Sequence, residues 1–204
     1  MSSKKTINFL IVGQGIAGTT LAHKLYENGK SVHLIDNKYQ SSSSHIAAGL
    51  LHPMSFKRAI LSWKADMLIP IAKAHYNAFQ TTFKTKVFHE LDMIRVFSSM
   101  EEQNNWQGRM ADSPMKEIIG DEELSLGFPL GSGKVNMAGR LDVALYLSRS
   151  NQFFIEENIF SEEQFDYSQL TYSETGVEYK GIVAENIVFC EGYKITQNPY
   201  FNYI

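Results

Sequence analysis

Three glycines and one aspartate near the start of the chain have the types and spacing of a site that binds a dinucleotide. Gly13, Gly15 and Gly18 form the pattern G-x-G-x-x-G, and Asp36 follows 18 residues after the last of them. In this pattern the first glycine permits a tight turn, the second lets the backbone approach a pyrophosphate, and the third lets a helix pack closely on a strand. The aspartate accepts hydrogen bonds from ribose hydroxyls, and its charge disfavours a 2′-phosphate.

The elements predicted around the glycines are those that such a site requires. The apolar residues 9–12 predict a strand buried on both faces. Leu21 and Leu25 share a face of a predicted helix that ends at Asn28, and residues 31–35 predict a second strand. Strand, helix and strand in this order make one βαβ unit, whose helix N-terminus offers N–H groups to phosphates. A structural glycine turn without a ligand is the alternative interpretation.

The middle of the chain predicts further helices and strands of a mixed region. Residues 59–83 are typical of one long helix, and residues 101–110 and 140–149 of shorter ones. Residues 91–97 and 153–155 predict strands. Five residues recur at near-helical spacing along the long helix and predict its buried face: Trp63, Met67, Ile71, His75 and Phe79.

Short β runs near the end of the chain predict a return to the first sheet. Residues 177–179, 182–183 and 187–189 are separated by turn residues, and the last run leads into Cys190 and Gly192. A strand that ends in glycine after a hairpin brings the backbone close to a ligand. We therefore predict an α/β fold with a Rossmann-like parallel sheet, a βαβ start and a β-hairpin crossover.

Composition and charge exclude several classes of partner. A formal charge of −3 and a pI of about 6.1 argue against nucleic acid or an anionic membrane. The first apolar run stops at Gly13, which is too short for a membrane span or a signal sequence. The single cysteine forms no internal disulfide, which favours a cytoplasmic location. No metal site is predicted, because the six histidines lack metal-ligand spacing and one cysteine does not build a zinc site.

Two residues are candidates for a substrate site. Arg95 stands among the apolar residues of the strand predicted at 91–97, a pattern that suits a sheet face lining a polar cavity. A guanidinium there could bind a substrate carboxylate, although a solvated face gives the same pattern. His52 follows a small-residue segment and could face a substrate, while a structural histidine beside Pro53 is the alternative. The serine run 41–44 before that segment is typical of a linker or of backbone kept small under a flat ligand.

Three segments together resemble the D-amino-acid oxidase/glycine oxidase superfamily of FAD-dependent oxidoreductases. They are residues 9–36, the sequence HIAAGLLHP at 45–53 and the sequence IVFCEG at 187–192. The resemblance implies a flavin that accepts a hydride from a carbon bearing an amine, with a small amine or amino acid as substrate. The residues that it assigns to FAD are Gly13, Gly15, Ile16, Ala17, Gly18, Asp36, Asn37, Lys38, Ser44, His45, Ala48, Gly49, Leu50, Phe165, Cys190 and Gly192.

The resemblance also implies a division of the chain into domains. Residues 1–85 and 151–204 correspond to an incomplete FAD-binding domain, and residues 86–150 to part of an α+β substrate domain. Enzymes of this superfamily are longer, so we expect the chain to be truncated at its C-terminus. Two alternatives stay open: a nucleotide-binding fragment without catalytic activity, and an NAD-dependent dehydrogenase. The mixed region at 60–155, followed by a return strand, disfavours the dehydrogenase.

Overall fold

The chain forms two compact units in a computed structural model. Residues 1–47 and 143–204 make the first unit, and residues 48–142 make the second. Parts of the predicted ranges lie outside the described residues, among them position 41 of the serine run and position 59 of the long helix. The positions concerned are 1–4, 39–41, 57–59, 112–114, 123–126, 175 and 202–204. The structure describes residues 5–38, 42–56, 60–111, 115–122, 127–174 and 176–201.

Fourteen strands and six helices are assigned within the described ranges. The strands are β1 Lys5–Val12, β2 Val32–Asp36, β3 Leu50–Leu51, β4 Met54–Ser55, β5 Ile60–Leu61, β6 Phe88–Glu90, β7 Met93–Val96, β8 Ile119–Glu122, β9 Ser132–Val135, β10 Gly139–Leu141, β11 Phe160–Glu162, β12 Leu170–Ser173, β13 Gly176–Tyr179 and β14 Ile182–Phe189. The helices are α1 Ile16–Glu27, α2 Ser43–Ile46, α3 Ala65–Phe83, α4 Met100–Met110, α5 Met115–Ile118 and α6 Val143–Glu156. Not one of these helices is both long enough and apolar enough to cross a membrane.

A six-stranded sheet organises the first unit, in the order β11-β2-β1-β14-β13-β12. The strands β11, β2, β1 and β14 run parallel, while β13 pairs antiparallel with β14 and β12 pairs antiparallel with β13. The predicted βαβ start and the return of the chain to the first sheet are confirmed. The return strand is continuous rather than split into two runs. Glu185, which lies between the two predicted runs, is exposed on the strand and accepts a hydrogen bond from Asn8 Nδ2 at 3.0 Å.

Alternate residues of β1 pack into two apolar clusters. Leu10 and Val12 belong to a cluster with Tyr179, whereas Ile11 belongs to one with Phe154. Fully burying an aliphatic side chain of this size contributes about 1.5–3 kcal/mol, so the central strand is held firmly from both sides. The carboxyl end of β1, where the glycines begin, therefore has a rigid support.

The helix α6 corrects two predictions for the region before β11. A strand at residues 153–155 is wrong, because these residues form the last turns of α6 and Phe154 is fully buried against the sheet. The helix predicted at 140–149 begins later, at Val143, and continues to Glu156. The bulky aromatic residues raised the local preference for a strand, and packing against the sheet overrides that preference.

The second unit contains three small sheets, β3-β10-β6, β4-β5 and β7-β9-β8. The strand predicted at 91–97 is confirmed as β7, and the helix predicted at 101–110 as α4. The long helix begins at Ala65 rather than at residue 59, because Ile60 and Leu61 pair with β4 as β5.

The buried face of α3 differs from the predicted one. Trp63, Met67 and Ile71 are exposed, whereas His75 and Phe79 are buried as predicted. Trp63 precedes the helix, so it does not continue the spacing of the residues inside it. The face that packs inward also contains Ala65 and Ile69.

The compact units do not divide the chain at residues 85 and 150, where the predicted domains do. Strand β3 pairs with β10, and α3 contacts β6, so residues 48–85 belong to the second unit. Helix α6 contacts α1 and β11, which assigns residues 143–150 to the first unit. Local strand pairing therefore decides the observed boundaries.

Candidate functional site

An open cleft lies at the carboxyl ends of β1, β2 and β14 in the first unit. Its volume is about 890 Å³, including the space at its mouth that is open to solvent. Ligands of parallel α/β sheets bind at this end of the strands. The lining residues are Val12, Gly13, Gln14, Gly15, Ile35, Asp36, Asn37, Ser42, Ser43, Ser44, His45, Glu163, Gln164, Phe165, Tyr167, Cys190, Glu191, Gly192, Tyr193, Lys194 and Gln197.

The first and third glycines of the motif are at positions where a side chain does not fit. Gly13 has φ +105°, and a Cβ there would overlap the backbone carbonyl of Cys190. A Cβ at Gly18 would overlap the carbonyl oxygen of Gly13, well under the 3.0 Å that real Cβ contacts keep. The turn and the start of α1 are therefore packed backbone to backbone, and the cradle that remains suits a pyrophosphate.

Asp36 fastens the glycine turn to the end of β2. Its Oδ2 accepts a hydrogen bond from the Gln14 backbone N–H at 2.8 Å, and its Oδ1 accepts one from the Lys38 N–H at 2.5 Å. A carboxylate has about four acceptor positions, so two stay available for ribose hydroxyls. Asp36 thus combines a structural role with the charge that the sequence predicts at the cleft.

The side chain of Gln14 anchors the same turn to α6. It is buried, its amide oxygen accepts a hydrogen bond from Asn151 Nδ2 at 2.8 Å, and its amide nitrogen donates to the Leu147 carbonyl at 3.4 Å. Sequence reasoning missed Gln14, because the position between the first two glycines accepts many residue types.

Ser44 supplies an oxygen to the N-terminus of α1. Its Oγ accepts a hydrogen bond from the Ile16 N–H at 3.0 Å. The N-cap residue, Gly15, has no side chain to do so. Ser42 Oγ and His45 Nδ1 are 2.6 Å apart, which holds the imidazole beside the cleft. An oxygen acceptor at a helix N-terminus occupies the kind of position that a phosphate oxygen takes.

The opposite wall of the cleft is aromatic and acidic. Phe165 is buried and stacks on Tyr179 with ring centroids 4.4 Å apart. The Tyr167 hydroxyl donates a hydrogen bond to Glu191 Oε1, and Asn198 Nδ2 donates to Glu191 Oε2 at 2.7 Å. Burial and the neighbouring Glu191 carboxylate raise the pKa of Tyr167 far above its ordinary value. Tyr167 and Glu191 gave no signal in the sequence, since their pairing spans two distant segments.

Cys190 and Gly192 lie where β14 ends at the cleft, as the resemblance implies. The Cys190 N–H donates to the Val12 carbonyl at 2.6 Å, which continues the pairing of the parallel strands. Burial, followed by the charge of Glu191, raises the pKa of the Cys190 thiol. The thiol is therefore a weakly reactive neutral group at this edge of the cleft.

The remaining residues assigned to FAD divide between the cleft and other places. Asn37 lines the cleft and donates to Gln164 Oε1 at 2.5 Å. Lys38 does not line it, because its ammonium pairs with Glu162 at 2.6 Å. Ile16 and Ala17 form the first turn of α1.

The segment from Ala48 to Leu50 belongs to the second unit. Gly49 has φ +71°, and its carbonyl accepts a hydrogen bond from the Leu141 N–H at 2.9 Å. Leu50 begins β3 with 56% of its surface exposed. The exposed leucine and the positive φ of its neighbour are both compatible with a backbone that passes a flat ligand.

Arg95 and His52, the substrate-site candidates, meet at one aromatic ring in the second unit. The Arg95 guanidinium lies 5.8 Å from the centroid of Phe56, and the His52 ring stacks on Phe56 at 5.2 Å. Arg95 is also paired with Glu102, through Nη2 at 2.5 Å and Nε at 2.7 Å. His52 Nδ1 is buried and has no hydrogen-bond partner among the described residues.

Glu102 neutralises the charge of Arg95 with its carboxylate, and its backbone N–H is bound by Ser99, the N-cap residue of α4. Burial alone acts to raise its pKa, but hydrogen bonds from Ser98 and from Arg95 hold the pKa of Glu102 below its ordinary value. Ser99 Oγ accepts a hydrogen bond from the Glu102 N–H at 3.1 Å, which caps α4. The spacing Ser99-x-x-Glu102 is that of a capping box, and this signal in the sequence could have identified the partner of Arg95.

Known proteins match this chain in family and in fold. The family model described as DAO, FAD dependent oxidoreductase, matches residues 8–153. Iminodiacetate oxidase from Chelativorans sp. BNC1 superposes with a TM-score of 0.65 at 18% identity, covering 93% of this chain and 56% of the oxidase. L-amino acid deaminase from Proteus vulgaris gives 0.70 at 15% identity, with 97% and 50% covered.

Glycine oxidase from Bacillus cereus is a third match, with a TM-score of 0.65 at 18% identity. It is covered over 54% of its length, and this chain over 90%. The chain therefore spans about half the length of these solved structures. Their likeness confirms the predicted α/β fold with its parallel sheet.

Proposed function

We propose that this chain, which belongs to the DAO family of FAD dependent oxidoreductases, holds FAD in its first unit. The bound FAD would serve the oxidation of a C–N bond in a small amine or amino acid. One observation carries the proposal. The glycine turn, the N-terminus of α1 and the Asp36 carboxylate converge on a single cleft at the carboxyl ends of the parallel strands. Bound flavin supplies the chemistry in this family, because it accepts the hydride from the carbon that bears the amine.

Different residues of the cleft would contact different parts of the cofactor, according to their charge and size. The N–H groups at Gly15 and Ala17 suit the pyrophosphate, since the positive end of the α1 dipole is there, while the Ile16 N–H donates to Ser44. The side chain of Ser44 stands beside them, and Asp36 suits the ribose hydroxyls. These assignments rest on the fit of a small backbone cradle and a carboxylate to a dinucleotide.

Other assigned residues would contact the rest of FAD. Asn37 and the buried Phe165 line the part of the cleft that suits adenine. Cys190 and Gly192 would follow the cofactor along the end of β14. We place the segment Ala48–Leu50 along the flavin ring, as the resemblance implies, and we leave Lys38 outside the site because Glu162 holds its ammonium. The composition and the single cysteine support a cytoplasmic location.

A flavin titration of the purified chain tests whether it holds FAD. Quenching of flavin fluorescence should saturate, and Asp36→Asn should raise the dissociation constant about tenfold, because it removes one charge-assisted acceptor worth about 1.5 kcal/mol. The control is Asp92→Asn, in the second unit, where the carboxylate pairs with Lys134 at 3.3 Å. Absence of quenching at any FAD concentration, or tighter binding of NAD than of FAD, would contradict the cofactor assignment.

An anaerobic screen of the FAD complex tests the substrate class. Amino acids and secondary amines are mixed with the complex, and loss of the flavin absorbance near its visible maximum reports hydride transfer. Bleaching by an amine but not by the corresponding alcohol supports C–N oxidation. A complex that binds FAD and is bleached by dithionite but by none of the amines would refute this part of the proposal.

A further inference from the structure

Gln14 stands between the first two glycines of the motif, and each of its polar groups is hydrogen-bonded. Its backbone N–H donates to Asp36, and its side-chain amide joins the Leu147 carbonyl and the Asn151 side chain. Its carbonyl oxygen accepts a hydrogen bond from Thr19 Oγ1 at 3.3 Å. The residue is therefore tied to the end of β2, to α1 and to α6 at once.

The hydrogen bond from Thr19 fixes the orientation of the peptide that joins Gln14 to Gly15. A trans peptide is planar, so its N–H and its C=O point in opposite directions. Thr19 is fully buried and holds the Gln14 carbonyl. The Gly15 N–H is therefore directed away from Thr19 and toward the cleft that Gly15 lines. This N–H is one of the two donors that suit the pyrophosphate.

The glycines on both sides of Gln14 make the turn costly to order. Glycine loses more conformational freedom on ordering than any other residue, and a donor that becomes ordered only when a ligand binds lowers the affinity by that cost. Gln14 is only 7% exposed, so water has little access to its hydrogen bonds with α6. This anchor orders the turn when the chain folds, before a ligand arrives.

Helix α6 is a firm support for the anchor, because a buried polar contact also joins it to α1. The Ser150 side chain is fully buried, and its Oγ lies 2.9 Å from His23 Nε2. Asn151 is the next residue of α6 and is not among the residues that line the cleft. Its link to the cofactor site is the hydrogen bond to Gln14.

We propose that Gln14 and Asn151 are positioning residues for the pyrophosphate of the dinucleotide. Asn151 holds the Gln14 side chain, Gln14 holds the peptide before Gly15, and that peptide presents its N–H to a phosphate oxygen. The inference rests on the proposed function, because it concerns how the same glycine turn receives its ligand. Neither residue takes part in a bond that forms or breaks in the reaction.

Titration of the ¹⁵N-labelled chain with ADP and with adenosine tests the assignment without turnover. ADP contains a pyrophosphate, and adenosine contains no phosphate. The Gly15 amide proton should shift downfield with ADP, because it donates to a phosphate oxygen, and should not shift in this way with adenosine. Flavin fluorescence quenching gives the affinity for FAD in parallel.

Asn151→Asp keeps the size of the side chain but removes the donor to Gln14 Oε1. A flip of the Gln14 amide toward the new carboxylate would turn its oxygen against the Leu147 carbonyl, so one hydrogen bond is lost in either orientation. The dissociation constants for ADP and FAD should rise about fivefold, as expected for one net hydrogen bond. The downfield shift of Gly15 should decrease, and the affinity for adenosine should change by less than about twofold.

Two further variants distinguish positioning from a loss of stability. Gln14→Met removes both side-chain hydrogen bonds, and adding Asn151→Asp to it should weaken ADP binding no further, because Asn151 acts through Gln14. Ser150→Ala is the matched control, since it removes a buried hydrogen bond between the same two helices. Urea unfolding should show a loss of stability in Ser150→Ala, while its ADP affinity and its Gly15 resonance stay as in the parent chain.

The outcomes separate this inference from the proposed function. Unchanged ADP affinity in Asn151→Asp, an equal loss of affinity in Ser150→Ala, additive losses in the double variant, or a Gly15 resonance that does not respond to ADP would overturn the positioning role. A chain that binds FAD equally well with and without Asn151→Asp overturns this inference alone. A chain that binds ADP through Gln14 and Asn151 but takes up no FAD overturns the proposed function alone. A parent chain that binds neither ligand overturns both.

Discussion

The backbone contact between α1 and the glycine turn makes a quantitative prediction for Gly18→Ala. Glycine to alanine within a helix normally stabilises it by about 1 kcal/mol. At Gly18 the added methyl group would overlap the Gly13 carbonyl oxygen, which belongs to the backbone and has no rotamer by which to move away. Overpacking of this kind costs about 1–3 kcal/mol. The gain in helix propensity offsets about 1 kcal/mol of this cost. At the upper end of the range we therefore expect Gly18→Ala to lower the free energy of unfolding by about 2 kcal/mol.

Cofactor affinity should fall with stability, because the collision pushes the start of α1 away from the turn. Losing one charge-assisted hydrogen bond from the Ala17 N–H to FAD costs about 1.5 kcal/mol and raises the dissociation constant for FAD about tenfold. Urea unfolding measures the first effect, and quenching of flavin fluorescence measures the second. For a chain of this size, about 2 kcal/mol corresponds to a decrease in Tm of about 4–8 °C.

Gly108→Ala is the matched control. Gly108 also lies in a helix, α4, but nothing stands within 4 Å of the Cβ that would be added. This variant should be as stable as the parent chain or more stable by up to about 1 kcal/mol, with unchanged FAD affinity. If Gly18→Ala behaved like Gly108→Ala in both assays, the packing argument for the glycine motif would be refuted.

Three further predictions concern single groups. His33 is buried, and burial and the charge of Lys5 lower its pKa from 6.5 to about 4. Between these pH values only the unfolded chain takes up the proton, so the free energy of unfolding should fall by about 3 kcal/mol as the pH drops from 6.5 to 4. Urea unfolding of His33→Gln should show a weaker dependence on pH. Ser44→Ala removes the acceptor of the Ile16 N–H and should cost about 1 kcal/mol in urea unfolding. Cys190 has a raised thiol pKa, so iodoacetamide at pH 8 should alkylate the folded chain more slowly than the unfolded one, and FAD should slow it further.

Each of these has an outcome that would contradict it. A pH profile of His33→Gln as steep as that of the parent chain would assign the acid sensitivity to other groups. Ser43 is the control for Ser44, because it lines the same cleft but, among the described residues, makes no hydrogen bond to α1. Equal losses of stability in the two alanine variants would show that the hydrogen bond from Ser44 to the helix N-terminus is not the cause. Equal alkylation rates of Cys190 in the folded and unfolded chain would show that the thiol is open to solvent.

The sequence predicted the parts of the site that depend on local spacing. The glycine pattern, Asp36 and the glycine after β14 each require a particular backbone at a particular place, and few other structures satisfy all of them. The βαβ start and the return of the chain to the first sheet were predicted for the same reason, because a βαβ unit and a hairpin that returns to it allow few topologies. Residue type and spacing were sufficient there.

The features that the sequence did not predict depend on contacts between distant segments. Whether Arg95 is available to a ligand is decided by Glu102, and the acidic wall of the cleft is decided by the meeting of Tyr167 with Glu191. The exposure of Trp63 depends on where α3 begins, which β5 determines by pairing with β4. Periodicity shows which residues share a face, and it does not show whether that face meets a neighbour.

The pairing of β1 with β14 has a consequence for the order in which the chain acquires its structure. Lys5 of β1 is paired with Ile182 of β14, so the register of these two strands forms only after β14 has left the ribosome. The second unit lies entirely between them in sequence, so its local pairings can form earlier and shorten the loop that β1 and β14 must close. The cofactor cleft is then completed later during synthesis than the second unit, and release of a nascent chain before β14 is made leaves the cleft unformed.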